Sequence, residues 1–105
     1  MATANKLLGK SKPTATTLTT LYTVPVSTQT NVNIFICNQS ADADVIRLAV
    51  SDDPLNEADY ILYDHEIKGN STKQITGIAL AEANFITIYS ANGTCSFAAT
   101  GIEIT

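Results

Sequence analysis

Residues 30–38 read TNVNIFICN, and this stretch decides the fold class. Val32, Ile34 and Ile36 recur at every second position, so they share one face of a β-strand. Phe35 and Cys37 fall on the opposite face, which makes the end of this strand apolar on both sides. We therefore predict a central strand whose second face is covered by a neighbour.

Similar patterns flank this strand in both directions. The sequence predicts further strands over residues 14–24, 45–51, 60–64, 72–80, 85–90 and 94–105. Turn signals recur roughly every 8–12 residues, which is typical of sandwiches and barrels. We therefore expect an all-β protein, an antiparallel β-sandwich of about seven strands, with an acidic loop holding at most one helical turn over residues 52–59.

Three glycines carry specific expectations. The pair Asn92-Gly93 lies between two predicted strands, and Asn-Gly favours a type I′ hairpin because both central residues need positive φ. Gly77 interrupts the strand over residues 72–80 and predicts a bulge or bend. Gly101 predicts a kink in the last strand.

The start of the chain differs in composition from the remainder. Residues 1–30 contain nine threonines, three lysines and no acid, whereas residues 42–66 contain eight acids and one base, Arg47. Pro13 prevents a helix from continuing across it. We predict an extended N-terminal arm over residues 1–13 and a β-sandwich domain over residues 14–105. The partner-binding residues expected in the arm are Lys6, Leu7, Leu8, Lys10 and Lys12.

Length and charge restrict the partners. A domain of 105 residues buries only about 60–70% of its unfolded surface, so we expect oligomerisation with further copies to stabilise it. The net charge is −4 and the body is acidic, which argues against nucleic acid as a partner. No apolar run is long enough for a membrane span or a signal peptide, so we expect synthesis in a cytoplasm and no membrane partner.

The residues that carry catalysis or bind metals are sparse. His65 is the only histidine, and a catalytic triad needs an orienting acid and a nucleophile besides it. We interpret His65 as an exposed loop residue. The acids between Asp42 and Asp59 lack the spacing of a calcium loop and are interpreted as a solvated acidic face. We expect no enzyme activity, catalytic residue, metal or cofactor.

The two cysteines and four tyrosines are interpreted as structural. Cys37 and Cys95 lie in apolar strand patterns, which favours free, buried thiols over a disulfide. The tyrosines are compatible with a carbohydrate groove, but without tryptophan we favour core edges and interfaces. They are Tyr22, Tyr60, Tyr63 and Tyr89.

Four blocks of the sequence resemble small virion structural proteins of tailed bacteriophages. The blocks are LLGKSKPTATTLTTLYTVP, ICNQSADADVIRLAVS, YILYDHEI and the closing GIEIT. The resemblance covers residues 7–105 and rests on composition and block order. The loop DDPLNEAD is more acidic than expected of this family. The resemblance implies a β-sandwich accessory subunit of the particle with no catalytic residues.

The resulting expectation is a structural protein located in the virion. The first hypothesis is a capsid decoration (cement) protein, in which the arm reaches from the β-domain to the major capsid protein or a neighbouring copy. The alternatives are a tail, baseplate, collar or fibre-attachment subunit, and a module that binds host glycans. A small hydrolase using His65 is the weakest hypothesis.

Overall fold

The structure, a computed structural model, describes residues 2–52 and 54–105 and contains eight β-strands. They are β1 (Thr3–Ser11), β2 (Thr19–Thr23), β3 (Gln29–Asn38), β4 (Asp44–Ser51), β5 (Tyr60–Ile67), β6 (Thr72–Leu80), β7 (Phe85–Ser90) and β8 (Cys95–Ile104). A 3-10 helix, Glu57–Asp59, forms the expected single helical turn of the acidic loop. No helix in the described ranges is long and apolar enough to cross a membrane.

The strands form two antiparallel sheets of four. Sheet A has the order β1-β8-β3-β6, and sheet B has the order β2-β7-β4-β5. The first strand pairs with the eighth, the second with the seventh, the third with the sixth and the fourth with the fifth. Two further pairs, β3–β8 and β4–β7, roll this eight-stranded hairpin into a jelly roll. The all-β sandwich is confirmed, with eight strands instead of seven.

The extra strand replaces the predicted N-terminal arm, which the structure does not show. β1 pairs with β8 from Thr3 opposite Ile104 to Ser11 opposite Phe97. Ala2 and Thr105 continue this pairing through two backbone hydrogen bonds of 2.9 and 2.8 Å. A composition of threonine and lysine suits an edge strand, because such a strand is exposed along one side and on its outer face. The same composition led to the prediction of an extended arm that contacts a neighbouring chain.

The core lies between the two sheets. Val32, Ile34 and Ile36 of β3 are almost completely buried, as the alternation predicted. Ile46, Leu48, Ile86, Ile88 and Phe97 from β4, β7 and β8 complete this layer. Each such side chain contributes about 1.5–3 kcal/mol through burial. The opposite face of β3 is open, so the prediction that a neighbour covers it is wrong for this chain alone.

All four edge strands carry β-bulges. Register shifts insert an extra residue into β1, β2 and β6 once each and into β5 twice, whereas the inner pairs β3–β8 and β4–β7 run without interruption. Gly77, with φ of 76°, lies at the β6 bulge and confirms the prediction made for it. Bulged edges are twisted and interrupted, which opposes pairing with the edge of another sheet.

The hairpin predicted at Asn92-Gly93 is wrong. This turn joins β7 to β8, which belong to different sheets. Gly93 has a φ of 71°, but Asn92 has no positive φ. The N–H of Asn92 donates to Asp44 Oδ1 at 2.9 Å, and that of Gly93 donates to Ser90 Oγ at 3.0 Å. These contacts with the end of the sandwich determine the turn.

Candidate functional site

The outward face of sheet A is almost free of charge. Leu7 is 53% exposed and Phe35 is 37% exposed on it. Lys10 is the one charged residue at the outward positions of the described strands of this sheet. The uncharged positions include Thr3, Asn5, Asn31, Asn33, Cys37, Thr72, Gln74, Ala79, Ser96, Ala98, Thr100, Ile102 and Ile104. We call this surface the sheet A face.

A groove lies at one end of the sheet A face. It has a volume of about 370 Å³, and Phe35, Cys37 and Ala98 provide its apolar lining. Lys10 and Lys12 also line it, and Lys12 Nζ donates to Gln39 Oε1 at 3.2 Å. An apolar floor beside two ammonium groups is chemically suited to an apolar side chain that is followed or preceded by an acid. We call this feature the lysine groove.

Of the five residues predicted to bind a partner, three lie on an accessible surface and two make contacts within their own subunit. Leu7 and Lys10 lie on the sheet A face, and Lys12 lies beside them in the lysine groove. Leu8 packs against the core of its own subunit. Lys6 Nζ lies 2.6 Å from Glu103 Oε1, so its charge is also used within the subunit.

The carboxylate of Glu103 joins the two sheets. It accepts a hydrogen bond of 2.5 Å from the hydroxyl of Tyr22, which in turn lies 3.0 Å from Thr30 Oγ1. The Lys6 ammonium and then the Tyr22 hydroxyl hold the pKa of Glu103 below its usual range. Burial, followed by the neighbouring carboxylate, raises the pKa of Tyr22 to about 12. This arrangement links the two sheets, and each of its polar side-chain atoms has a hydrogen-bond or ion-pair partner.

A second polar network surrounds Asp44, which was predicted to belong to the solvated acidic face but is fully buried. Its carboxylate accepts hydrogen bonds from the Val45 N–H at 2.8 Å and the Asn92 N–H at 2.9 Å. The hydroxyl of Ser90 donates to its other oxygen, and the Thr94 hydroxyl lies 3.2 Å from that oxygen and 3.0 Å from Asn38 Oδ1. Alternation in β4 contained the signal, because Asp44 shares the inward face of Ile46 and Leu48.

Within the Asp44 network, the carboxyl group of Asp44 is held ionised and the thiol of Cys95 beside it is held protonated. Burial alone would raise the pKa of Asp44, but the hydrogen bonds from Ser90, Asn92 and Val45 outweigh it and leave the pKa lowered. Burial, and then Asp44 itself, raises the pKa of Cys95 to about 12. A protonated, enclosed thiol is a poor nucleophile. The role of the network is structural, because its hydrogen bonds join β4, β7 and the start of β8 at one end of the sandwich.

His65 lies away from both networks. It is half-buried in β5 opposite Ile46, so its interpretation as an exposed loop residue is wrong. Within the described residues, no hydrogen bond joins it to a hydroxyl or a thiol. No group of three or more His, Cys, Asp or Glu residues in those ranges is arranged to hold a metal ion.

Three of the four tyrosines meet on the outward face of sheet B. The guanidinium carbon of Arg47 lies 4.3 Å from the ring centre of Tyr63 and 4.7 Å from that of Tyr89. Tyr60 packs edge-on against Tyr63 at 5.1 Å. Arg47 Nε donates to Asp64 Oδ1 at 2.7 Å, and Asp64 has a φ of 51° at a β5 bulge. We call this group the Tyr–Arg cluster.

The sequence analysis did not group Arg47 with the tyrosines, because the members of the Tyr–Arg cluster come from three strands. Arg47 on β4 lies directly opposite Tyr89 on β7, and β5 supplies the remaining residues from the other side. Tyr22 is separate and buried. Comparison with protein-family models, curated proteins and solved structures finds no match to this chain.

Proposed function

We propose that this protein is a non-enzymatic structural subunit of a bacteriophage particle, a capsid decoration (cement) protein that stabilises the shell. The observation that supports this proposal is the low charge of the sheet A face in a chain of net charge −4. Interface centres are depleted in charged residues and rely on apolar and aromatic anchors. Leu7 and Phe35 are exposed anchors of this kind.

In this proposal strand β1 makes the contact with a neighbouring subunit that the sequence analysis assigned to the arm. Leu7 and Lys10 contact the neighbouring subunit as members of the sheet A face, and Lys12 contacts it at the rim. The bulges on the edge strands oppose the addition of a foreign strand, so the contact is made through the face and not by strand exchange.

The jelly-roll fold is compatible with a protein of the phage particle, by analogy with other viral proteins. Jelly rolls occur in viral capsid domains, and they also occur in lectins and cupins. A fold alone does not determine function, so the proposal rests on the chemistry of the sheet A face.

Incorporation into phage particles tests the proposal. Particles are assembled in a host that supplies wild type, Leu7→Lys, Phe35→Lys or the control Thr20→Lys, which adds a lysine at an exposed outward position of sheet B. Subunits per particle are counted by quantitative mass spectrometry. We expect hundreds of wild-type and control copies per particle, and few copies of the two sheet A variants.

The count also distinguishes the shell from the tail. A few to some tens of copies per particle would move the protein to the tail, baseplate, collar or fibre attachment. Incorporation of Leu7→Lys and Phe35→Lys at the wild-type level would overturn the assignment of the sheet A face. Deletion of residues 2–13 is a poor test, because it removes β1 and leaves the edge of β8 unpaired.

The Tyr–Arg cluster favours a second candidate, a module that binds host glycans. Aromatic rings stack against sugar C–H faces, and a fixed arginine–carboxylate pair offers a donor beside an acceptor for neighbouring hydroxyls. A glycan array probed with wild type and with Tyr63→Ala tests this candidate. Binding that the substitution abolishes would support it, and an array without signal would remove it.

A further inference from the structure

The charges of this molecule are segregated to the two ends of the sandwich. Hydrogen bonds between turns define the ends: the Asn70 N–H donates to Ser40 O at 2.8 Å at one end, and the Ala83 N–H donates to Val24 O at 3.0 Å at the other. The first, which we call the lysine end, carries Lys10, Lys12, Lys68 and Lys73. The second, which we call the acidic end, carries Asp52, Glu57, Asp59 and Glu82.

Three acids at the lysine end are exceptions to this segregation, and the four lysines outnumber them. Asp42 is exposed in the β3–β4 turn, Glu66 lies nearby on β5, and Asp44 is buried at the start of β4. Lys6 lies toward the acidic end but is neutralised by its ion pair with Glu103. A molecule with one positive and one negative end attracts a second copy in a head-to-tail orientation.

Each end also presents residues whose chemistry complements that of the other. The lysine end contains the lysine groove, whose apolar lining is flanked by Lys10 and Lys12. The acidic end presents residues 54–59, with sequence PLNEAD, in which half-buried Leu55 precedes exposed Glu57. An apolar side chain followed by an acid is the chemistry to which the groove is suited.

The segment 54–59 is ordered by its own hydrogen bonds. Asn56 Oδ1 accepts from the Ala58 N–H at 2.9 Å, and Asp59 Oδ2 accepts from the Asn56 N–H at 2.8 Å, which together form a capping box. The short helix buries none of its residues within the subunit. A prearranged turn with exposed residues loses little conformational freedom on binding, which favours its use as a contact.

We propose that the lysine groove of one copy binds the acidic segment 54–59 of a second copy. Leu55 enters the apolar part of the groove, and Glu57 pairs with Lys10 and Lys12. The two surfaces differ, so the contact is heterologous and repeats around a ring or along a filament. The groove shares Phe35, Lys10 and Lys12 with the surface proposed to contact the shell, so the two contacts exclude each other at the groove. The free protein tests the contact between identical chains without a phage particle.

Sedimentation velocity of the purified protein at low and high salt tests the contact. We expect wild type to associate at low salt and to dissociate as salt screens the charges. Glu57→Lys alters the acidic end and Lys12→Glu alters the lysine end. Each is expected to weaken association at least about tenfold.

A mixture of the two variants gives the sharper test. The acidic end of Lys12→Glu is intact, and so is the groove of Glu57→Lys. One wild-type contact therefore forms between them, and at the other contact the acid introduced by Lys12→Glu faces the lysine introduced by Glu57→Lys, so opposite charges meet there too. An equimolar mixture is expected to recover association that neither variant shows alone.

Two charge changes outside the contact serve as controls. Glu82→Lys, at the acidic end but outside residues 54–59, matches Glu57→Lys, and Lys68→Glu, at the lysine end but outside the groove lining, matches Lys12→Glu. Both should retain most of the wild-type association, with circular dichroism confirming that all variants are folded. Monomeric wild type at low salt, or equal effects of control and test variants, would overturn the contact and leave the proposed shell binding untouched.

Discussion

The ammonium of Lys6 and the carboxylate of Glu103 lie 2.6 Å apart on the inward side of sheet A. Lys6 belongs to edge strand β1, and Glu103 belongs to β8 beside it. An inward-pointing lysine on an edge strand discourages association with other sheets, because a foreign strand would have to accommodate its charge. Here the same lysine also stabilises its own subunit.

We expect Glu103→Gln to destabilise the protein by about 1.5–3 kcal/mol, because charged hydrogen bonds to Tyr22 and Lys6 are lost. The pKa of Glu103 is lowered in the folded state. Its stabilising contribution is therefore complete above about pH 4.3, the unfolded value, and is lost as pH falls through the folded pKa. Urea unfolding between pH 3 and 7 measures both effects.

The matched variant Lys6→Met separates the two partners of Glu103. Half of the lysine side chain is exposed, so solvent screens this pair and the expected cost is about 0–1 kcal/mol. A larger loss for Lys6→Met than for Glu103→Gln would contradict the assignment of Tyr22 as the main buried partner.

A greater effect is expected at Asp44. Asp44→Asn places an amide among the donors Val45 N–H, Asn92 N–H and Ser90 O–H, and we expect a loss of about 2–4 kcal/mol because buried groups lose their partners. The folded pKa of Asp44 is lowered, so its contribution is present above about pH 3.9 and disappears as pH falls further. Thermal unfolding at pH 7 measures the loss, and Asp42→Asn in the adjacent turn is the exposed control.

The thiols are expected to react separately. Cys37 is exposed and Cys95 is buried, and they extend to opposite faces of sheet A, so they do not form a disulfide within the subunit. A thiol reagent should modify Cys37 in the native protein and Cys95 only after unfolding. Native modification of two thiols per chain, or protection of Cys37, would contradict the structure; Cys37→Ser is the control.

Gly101 and Gly77 provide a paired test of backbone packing. A Cβ on Gly101 would lie 1.9 Å from the carbonyl oxygen of Asn31, so Gly101→Ala should cost more than about 3 kcal/mol. Gly77 has open space around it, so Gly77→Ala should cost only about 1–2 kcal/mol for its positive φ. Chemical denaturation of both variants compares them directly, and equal losses would contradict the close approach at Gly101.

The fold class follows from local patterns, whereas the arrangement of strands does not. Alternation in β3 identified the buried Val32, Ile34 and Ile36 without further information. Residues 3–11 could not be recognised as β1, because the strand that pairs with them lies at the other end of the chain. The sequence also predicted a kink at Gly101, but β8 runs in register with β3 there, and the glycine serves close packing.

The candidate sites were less predictable than the fold. Leu7, Lys10 and Lys12 were identified as exposed binding residues from composition, but the assembly of Lys10 and Lys12 with Phe35 into the lysine groove depends on pairing across sheet A. Cys37 was expected to be buried because its strand is apolar on both faces, and it is exposed because no layer covers that side.

The pairing of the first strand with the last has a consequence for biosynthesis. Sheet A lacks an inner strand until β8 has left the ribosome, since both β1 and β3 hydrogen-bond to it. Contacts of such long sequence separation form slowly. The chain therefore acquires its native state only after β8 has emerged, and a product that terminates before residue 95 has no means of completing the sandwich.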